Sequence, residues 1–169
     1  DSVHNEAAVD GGGMLFQEGA KVSITGVRTQ VRFDDNTAKQ SGGGLVHSTN
    51  SIVQISSGAY VQFFHNAALQ GGGINMQGRS SLSVTGAGTH VFIDSNNALI
   101  DGGGIFLLGA STFAVTSGAH LNVSHNEVKT FAGGGVLLQD AGTRFDVHGA
   151  ESHLSVKNNI AKTYGGGIA

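Results

Sequence analysis

Cysteine, proline and tryptophan are absent from this 169-residue chain, and only 12% of it is charged. Without cysteine there is no disulfide framework and no thiolate zinc site. Without proline or a G-X-Y period, the 28 glycines cannot be collagenous. No apolar run approaches the roughly 18 residues a membrane span needs, so direct membrane insertion is not expected. Nine Lys and Arg against twelve Asp and Glu give a net charge of −3 with both signs scattered. That leaves no basic footprint for nucleic acid or an anionic surface. The chain opens with Asp1-Ser2-Val3-His4, so no leader peptide is expected within it.

What is present is a repeat. A glycine triplet begins at residues 11, 42, 71, 102, 133 and 165, at separations of 31, 29, 31, 31 and 32. Each is followed by a short alternating run, among them Leu45/His47, Ile74/Met76 and Ile105/Leu107. A second run follows (Val22/Ile24, Val53/Ile55, Leu82/Val84, Phe113/Val115, Phe145/Val147), and then a third (Val31/Phe33, Val61/Phe63, Val91/Ile93, Leu121/Val123, Leu154/Val156). Strict alternation over three to five residues reads as half-buried strands. The third run always leads, three residues on, to asparagine: Asn36, Asn66, Asn96, Asn126 and Asn159, with Asn5 before the first triplet. Two residues beyond each lies a small apolar position: Ala38, Ala68, Ala98, Val128 and Ala161.

Three strands in about 31 residues, with no helical period, exclude a propeller blade and a leucine-rich repeat. They fit an all-β, right-handed parallel β-helix, a solenoid of about five and a half coils. The coils run 11–41, 42–70, 71–101, 102–132 and 133–164 in a single segment 1–169. Stacked coils place equivalent residues about 4.8 Å apart. The asparagines then form a structural ladder at a corner, since Asn tolerates the left-handed region and its amide can bond turn backbone or the next Asn. The triplets allow a tight bend and close approach of backbones. The chain starts and stops in mid-repeat without charged caps. An excerpt of a longer protein is therefore the expectation, and pairing of open ends into a filament the alternative.

The pattern Φ-x-x-Asn-x-Ala followed by Gly-Gly-Gly-Φ resembles the repeats of the chlamydial polymorphic outer-membrane protein family. Its tandem F-x-x-N and G-G-A-(I/L/V) motifs lie on the β-helical passengers of autotransporter adhesins. Phe33-Asp34-Asp35-Asn36 and Phe63-Phe64-His65-Asn66 match the first motif, and all six triplets match the Gly-Gly half of the second. The third triplet position departs, being Gly where the family has Ala. The resemblance implies an extracellular or cell-surface, non-catalytic rod that acts as a rigid scaffold or adhesin-like module.

Chemistry is sparse. A polysaccharide-active enzyme, the least favoured class, would need convergent carboxylates and a basic group. Asp34, Asp35 and Asp94 are the nearest candidates and read as solvated turn residues. His90, His120 and His153 share a column just before the third strand, which reads as a polar solvent-facing ladder more than a metal site. The triplets precede neither a helix nor Gly-Lys-Ser/Thr, so they are no phosphate loop. The outward columns are too irregular for ice binding. No catalytic residue, cofactor or metal is therefore assigned.

Two surface features remain. The outward column of the first run is apolar: Leu15, Val46, Phe106 and Leu137, with Leu108 beside it and Asn75 interrupting it. It reads as a contact stripe for another chain, by self-association or with a receptor, or for a covering segment. On the first reading, Phe106→Ser leaves the fold intact and weakens association. Asn122-Val123-Ser124 is the one N-x-S/T sequon and a candidate glycosylation site. Other protein chains and glycans are the partner classes expected.

Overall fold

A computed structural model describes residues 4–169 and, among them, contains strands, turns and no helix. The chain winds through about five turns of roughly 31 residues and stacks them as a β-solenoid. Every strand pairing is parallel, and each strand pairs with its equivalent one turn away. Four five-stranded sheets result.

Three sheets hold the alternating runs. The first-strand sheet contains Met14–Phe16, Leu45–His47, Ile74–Met76, Ile105–Leu107 and Val136–Leu138. The second-strand sheet contains Lys21–Thr25, Ile52–Ser56, Ser81–Thr85, Thr112–Thr116 and Arg144–His148. The third-strand sheet contains Gln30–Asp34, Tyr60–Phe64, His90–Asp94, His120–Ser124 and His153–Lys157. A fourth, shorter column follows the asparagines: Glu6–Ala7, Thr37–Ala38, Ala67–Gln70, Asn97–Asp101 and Glu127–Val128. These short segments do not alternate, so they carry no strand signal in the sequence.

Alternation decides which side chains meet. Inward residues from the first three sheets build one core, with Val53, Ile55, Leu82, Val84, Val91 and Ile93 among its buried members. In-register stacking puts like on like: the Phe33 and Phe63 rings stack with centroids 4.7 Å apart and planes 5° from parallel.

The asparagines carry the corner after the third strand. Asn66 Nδ2 donates to Asn96 Oδ1 at 2.9 Å and Asn96 Nδ2 to Asn126 Oδ1 at 2.9 Å. The same geometry links Asn36 to Asn66 and Asn126 to Asn159, and Asn5 Nδ2 donates to Asn36 Oδ1. Each interior amide also reaches the coil before, as Asn96 Nδ2 does to the Phe63 carbonyl at 2.9 Å. The left-handed geometry belongs to the residue before each asparagine: Asp35, His65, Ser95, His125 and Asn158 have φ between 52° and 56°. Asparagine is selected here for its amide, not for its backbone.

The triplets lie beside this ladder, where successive coils come closest. A Cβ on Gly104 would lie 2.6 Å from the Gly135 carbonyl oxygen and 2.9 Å from Asn126 Nδ2. No alanine fits there without separating two coils, which accounts for Gly at the third triplet position.

One core position breaks the apolar rule. His47 stands in the inward column with Phe16 and Met76 in register beside it, and it is fully buried. Neither ring nitrogen has a hydrogen-bond partner. Burial pushes its pKa from 6.5 down to about 4. The folded chain then binds fewer protons at this site than the unfolded chain between these values, so stability falls as pH drops through 6.5 and the loss levels off below about 4. The shift corresponds to about 3 kcal/mol at pH 4. His47→Met, matching Met76 in the next coil, is expected to remove that loss and to add about 1 kcal/mol at pH 7. Urea unfolding of both proteins at pH 7 and pH 4 checks this. An unchanged difference between the two pH values would exclude His47 as its source.

Candidate recognition face

The outward side of the third-strand sheet gathers most of the polar and aromatic chemistry. Parallel pairing aligns three columns across it. Gln30, Tyr60, His90, His120 and His153 form one edge; Arg32, Gln62, Phe92, Asn122 and Ser155 the centre; and Asp34, Phe64, Asp94, Ser124 and Lys157 the far edge.

The upper part is aromatic. Tyr60 and Phe92 ring centroids lie 5.0 Å apart, and His90 lies 6.3 Å from both. Arg32 sits over the Phe64 ring at 5.5 Å. The imidazoles continue the edge, with His90 to His120 at 4.8 Å and His120 to His153 at 5.7 Å. Burial and then the charge of His120 lower the His90 pKa. The rings meet edge-on or tilted, and the histidine column is not a convergent ligand set.

Below Phe92 a groove opens along the central column, lined by His120, Asn122, His153, Ser155 and Lys157 among others. Asn122 Oδ1 and Ser155 Oγ are buried in it without a hydrogen-bond partner. Asn122, the sequon residue, therefore sits at the centre of a strand and not on a loop. A glycan attached there would fill the groove.

The far edge is a row of closed polar clusters. Asp34 is not the solvated turn residue its sequence context suggests: it is 4% exposed. Its carboxylate takes Arg32 Nη2 at 2.6 Å and faces His65 Nδ1 at 3.2 Å. Arginine two residues earlier in the strand lies on the same face, a signal present in the sequence. Asp34, Asp35 and His65 offer ligand atoms within 4.8 Å of one another, the one such group among the described residues. Both Asp34 oxygens are already engaged, so the cluster satisfies itself as an ion-pair corner.

The motif recurs two coils on. Asp94 accepts from Ser124 Oγ at 2.6 Å and Ser95 Oγ at 3.0 Å, and meets His125 Nδ1 at 2.9 Å. Burial alone would raise the Asp94 pKa; the bonds from Ser124, His125 and Ser95 and the His125 charge outweigh it and hold the carboxyl low. Asn158 Nδ2 lies 3.1 Å from His125 Nε2 and closes the cluster on its outer side. Ser124 thus donates to a carboxylate and not to an imidazole, unlike an activated nucleophile.

The apolar stripe lies elsewhere and is largely covered. Val46 and Phe106 are each 1% exposed, so they offer no contact face. Leu108 and Leu137 are half-buried, and Leu15 in the end coil is 42% exposed. The cover is the chain itself. After each asparagine it leaves the core, runs through the fourth strand and returns at the triplet, whose first glycine lies on the outward residue of the next strand. A Cβ on Gly102 would be 2.6 Å from Phe106 Cβ, and one on Gly42 would be 2.5 Å from Val46 Cγ2. Ala38, Ala98 and Val128 are buried in the same excursion and, like Val46 and Phe106, stand outside the main core. Of the two readings of the stripe, the covering segment is the one the burial fits.

Comparison with family models, with curated proteins and with solved structures returned no match.

Proposed function

We infer that the chain is a non-catalytic, rigid β-solenoid that displays a recognition face, serving as a scaffold or adhesin-like module outside the cell or at its surface. Its coils wind right-handed, by the general rule for parallel crossovers, with three longer strands and one short segment each. The observation that carries the reading is the asymmetry of the outward surface. One sheet concentrates Tyr60, Phe92, a column of three imidazoles and two unpartnered acceptors, while its carboxylates are held in closed clusters. The Asn ladder and the core fix that sheet's spacing along the axis, which suits display more than turnover.

The test uses beads coated with the chain or with Tyr60→Ser/Phe92→Ser, offered to immobilised glycans and extracellular-matrix proteins, with electron microscopy of the same preparations. Discrete short rods are expected, with binding at least roughly tenfold weaker in the variant. Long filaments, or binding to nothing offered, would overturn the display reading, the filaments in favour of a structural polymer.

A further inference from the structure

We propose that the groove on the third-strand sheet binds an acidic oligosaccharide of the uronate class, an inference that rests on the display reading above. Three observations converge. Phe92 lines one end of the groove, with the Tyr60 ring 5.0 Å beyond it, an aromatic patch against which the C–H faces of sugar rings pack. Asn122 Oδ1 and Ser155 Oγ lie in the groove without partners, as acceptors for sugar hydroxyl donors. His120 flanks Asn122 and Lys157 flanks Ser155, each two residues away on the same strand face and each exposed. A ligand that displaces these exposed side chains reaches both acceptors.

Charge selects the acidic sugar. No carboxylate lines the groove, and Lys157 has no ion-pair partner among the described residues. Asp94, in the same row as Lys157 but two coils away, is engaged by Ser95, Ser124 and His125. A carboxylate arriving at Lys157 therefore meets a free ammonium and no repulsion. Polar rows recur at each coil rise, so successive sugar units find equivalent rows along the axis.

The test is titration calorimetry with a linear hexa-uronate and with its carboxyl-reduced neutral counterpart, on wild type, Phe92→Ser and Lys157→Met. Circular dichroism confirms that each variant is folded. Wild type is expected to bind the uronate at least tenfold more tightly than the reduced oligomer. Phe92→Ser weakens both about tenfold, and Lys157→Met removes the preference while leaving the reduced oligomer unchanged. Equal binding of the two oligomers, binding indifferent to Phe92→Ser, or no binding of either overturns the proposal. Face-dependent capture by matrix proteins in the bead assay would, in that case, leave the display reading standing.

Discussion

Asn96→Ala is expected to lower the unfolding free energy by about 4 kcal/mol, a large part of the stability of a domain. The Asn96 amide donates to Asn126 Oδ1, to the Phe63 carbonyl and to the Asp94 carbonyl, and its oxygen accepts from the Asn66 backbone N–H and Asn66 Nδ2. Alanine strands several of these groups in a corner that is itself buried, and each unpaired group costs about 1–3 kcal/mol. Asn96→Asp separates hydrogen bonding from volume. It keeps the acceptor and the shape but loses the donor and faces Asn126 Oδ1 with a carboxylate oxygen, so it is expected to do no better than alanine. Asn158→Ala, one residue before the ladder, exposed and at φ 54°, is expected to cost about 1 kcal/mol, the cost of alanine in the left-handed region. Urea unfolding at pH 7 reads all three. Equal effects at Asn96 and Asn158 would show that the ladder adds nothing beyond local turn geometry.

The solenoid was legible because each position is written five times and stacks on its own copies. Val22, Val53, Leu82, Phe113 and Phe145 need no alignment to show that they share one column. The asparagine ladder was legible for the same reason. The cover over the first-strand sheet was not, because its residues follow no period of two. Ala67–Gln70 and Asn97–Asp101 leave the core and return within one turn, and only the small column of Ala38, Ala98 and Val128 hints that a tight layer lies there. An apolar outward position reads as a surface stripe unless that layer is recognised. The groove was legible in part: the histidine column was visible, but its partners Tyr60 and Phe92 stand on different columns of neighbouring coils and meet only through stacking. Asp34 illustrates the limit of turn composition as a guide, since its carboxylate is engaged by Arg32 on its own strand and by His65 from the next coil. His47 shows the converse, a polar residue placed by register in an apolar column that never supplies it with a partner.

Phe106→Ser, which an exposed stripe would tolerate, is expected to cost about 4 kcal/mol and to leave the association state unchanged. Phe106 stands between Asn75 and Leu137 in the first-strand sheet and is closed off by the returning chain at Gly102. Removing a buried phenyl ring costs about 3–5 kcal/mol through lost transfer energy and the cavity it leaves. Collapse of the cover into that cavity is resisted, because the glycine triplets of adjacent coils are already at closest approach: the Gly103 amide donates to the Gly133 carbonyl and the Gly104 amide to the Gly134 carbonyl. A serine hydroxyl in the space adds the cost of a polar group among apolar neighbours. For a chain of this length the loss corresponds to a fall in Tm of about 10 °C. Leu15→Ser supplies the contrast: it occupies the same column in the first coil, where the side chain is exposed, and is expected to cost less than about 1 kcal/mol. Thermal unfolding with light scattering on both variants distinguishes the two pictures. A Phe106→Ser protein with an unchanged Tm and a smaller assembly would return the stripe to the surface. A protein that melts early and keeps its wild-type mass places Phe106 in a second core, built from residues that each coil contributes once and that hold the cover to the solenoid.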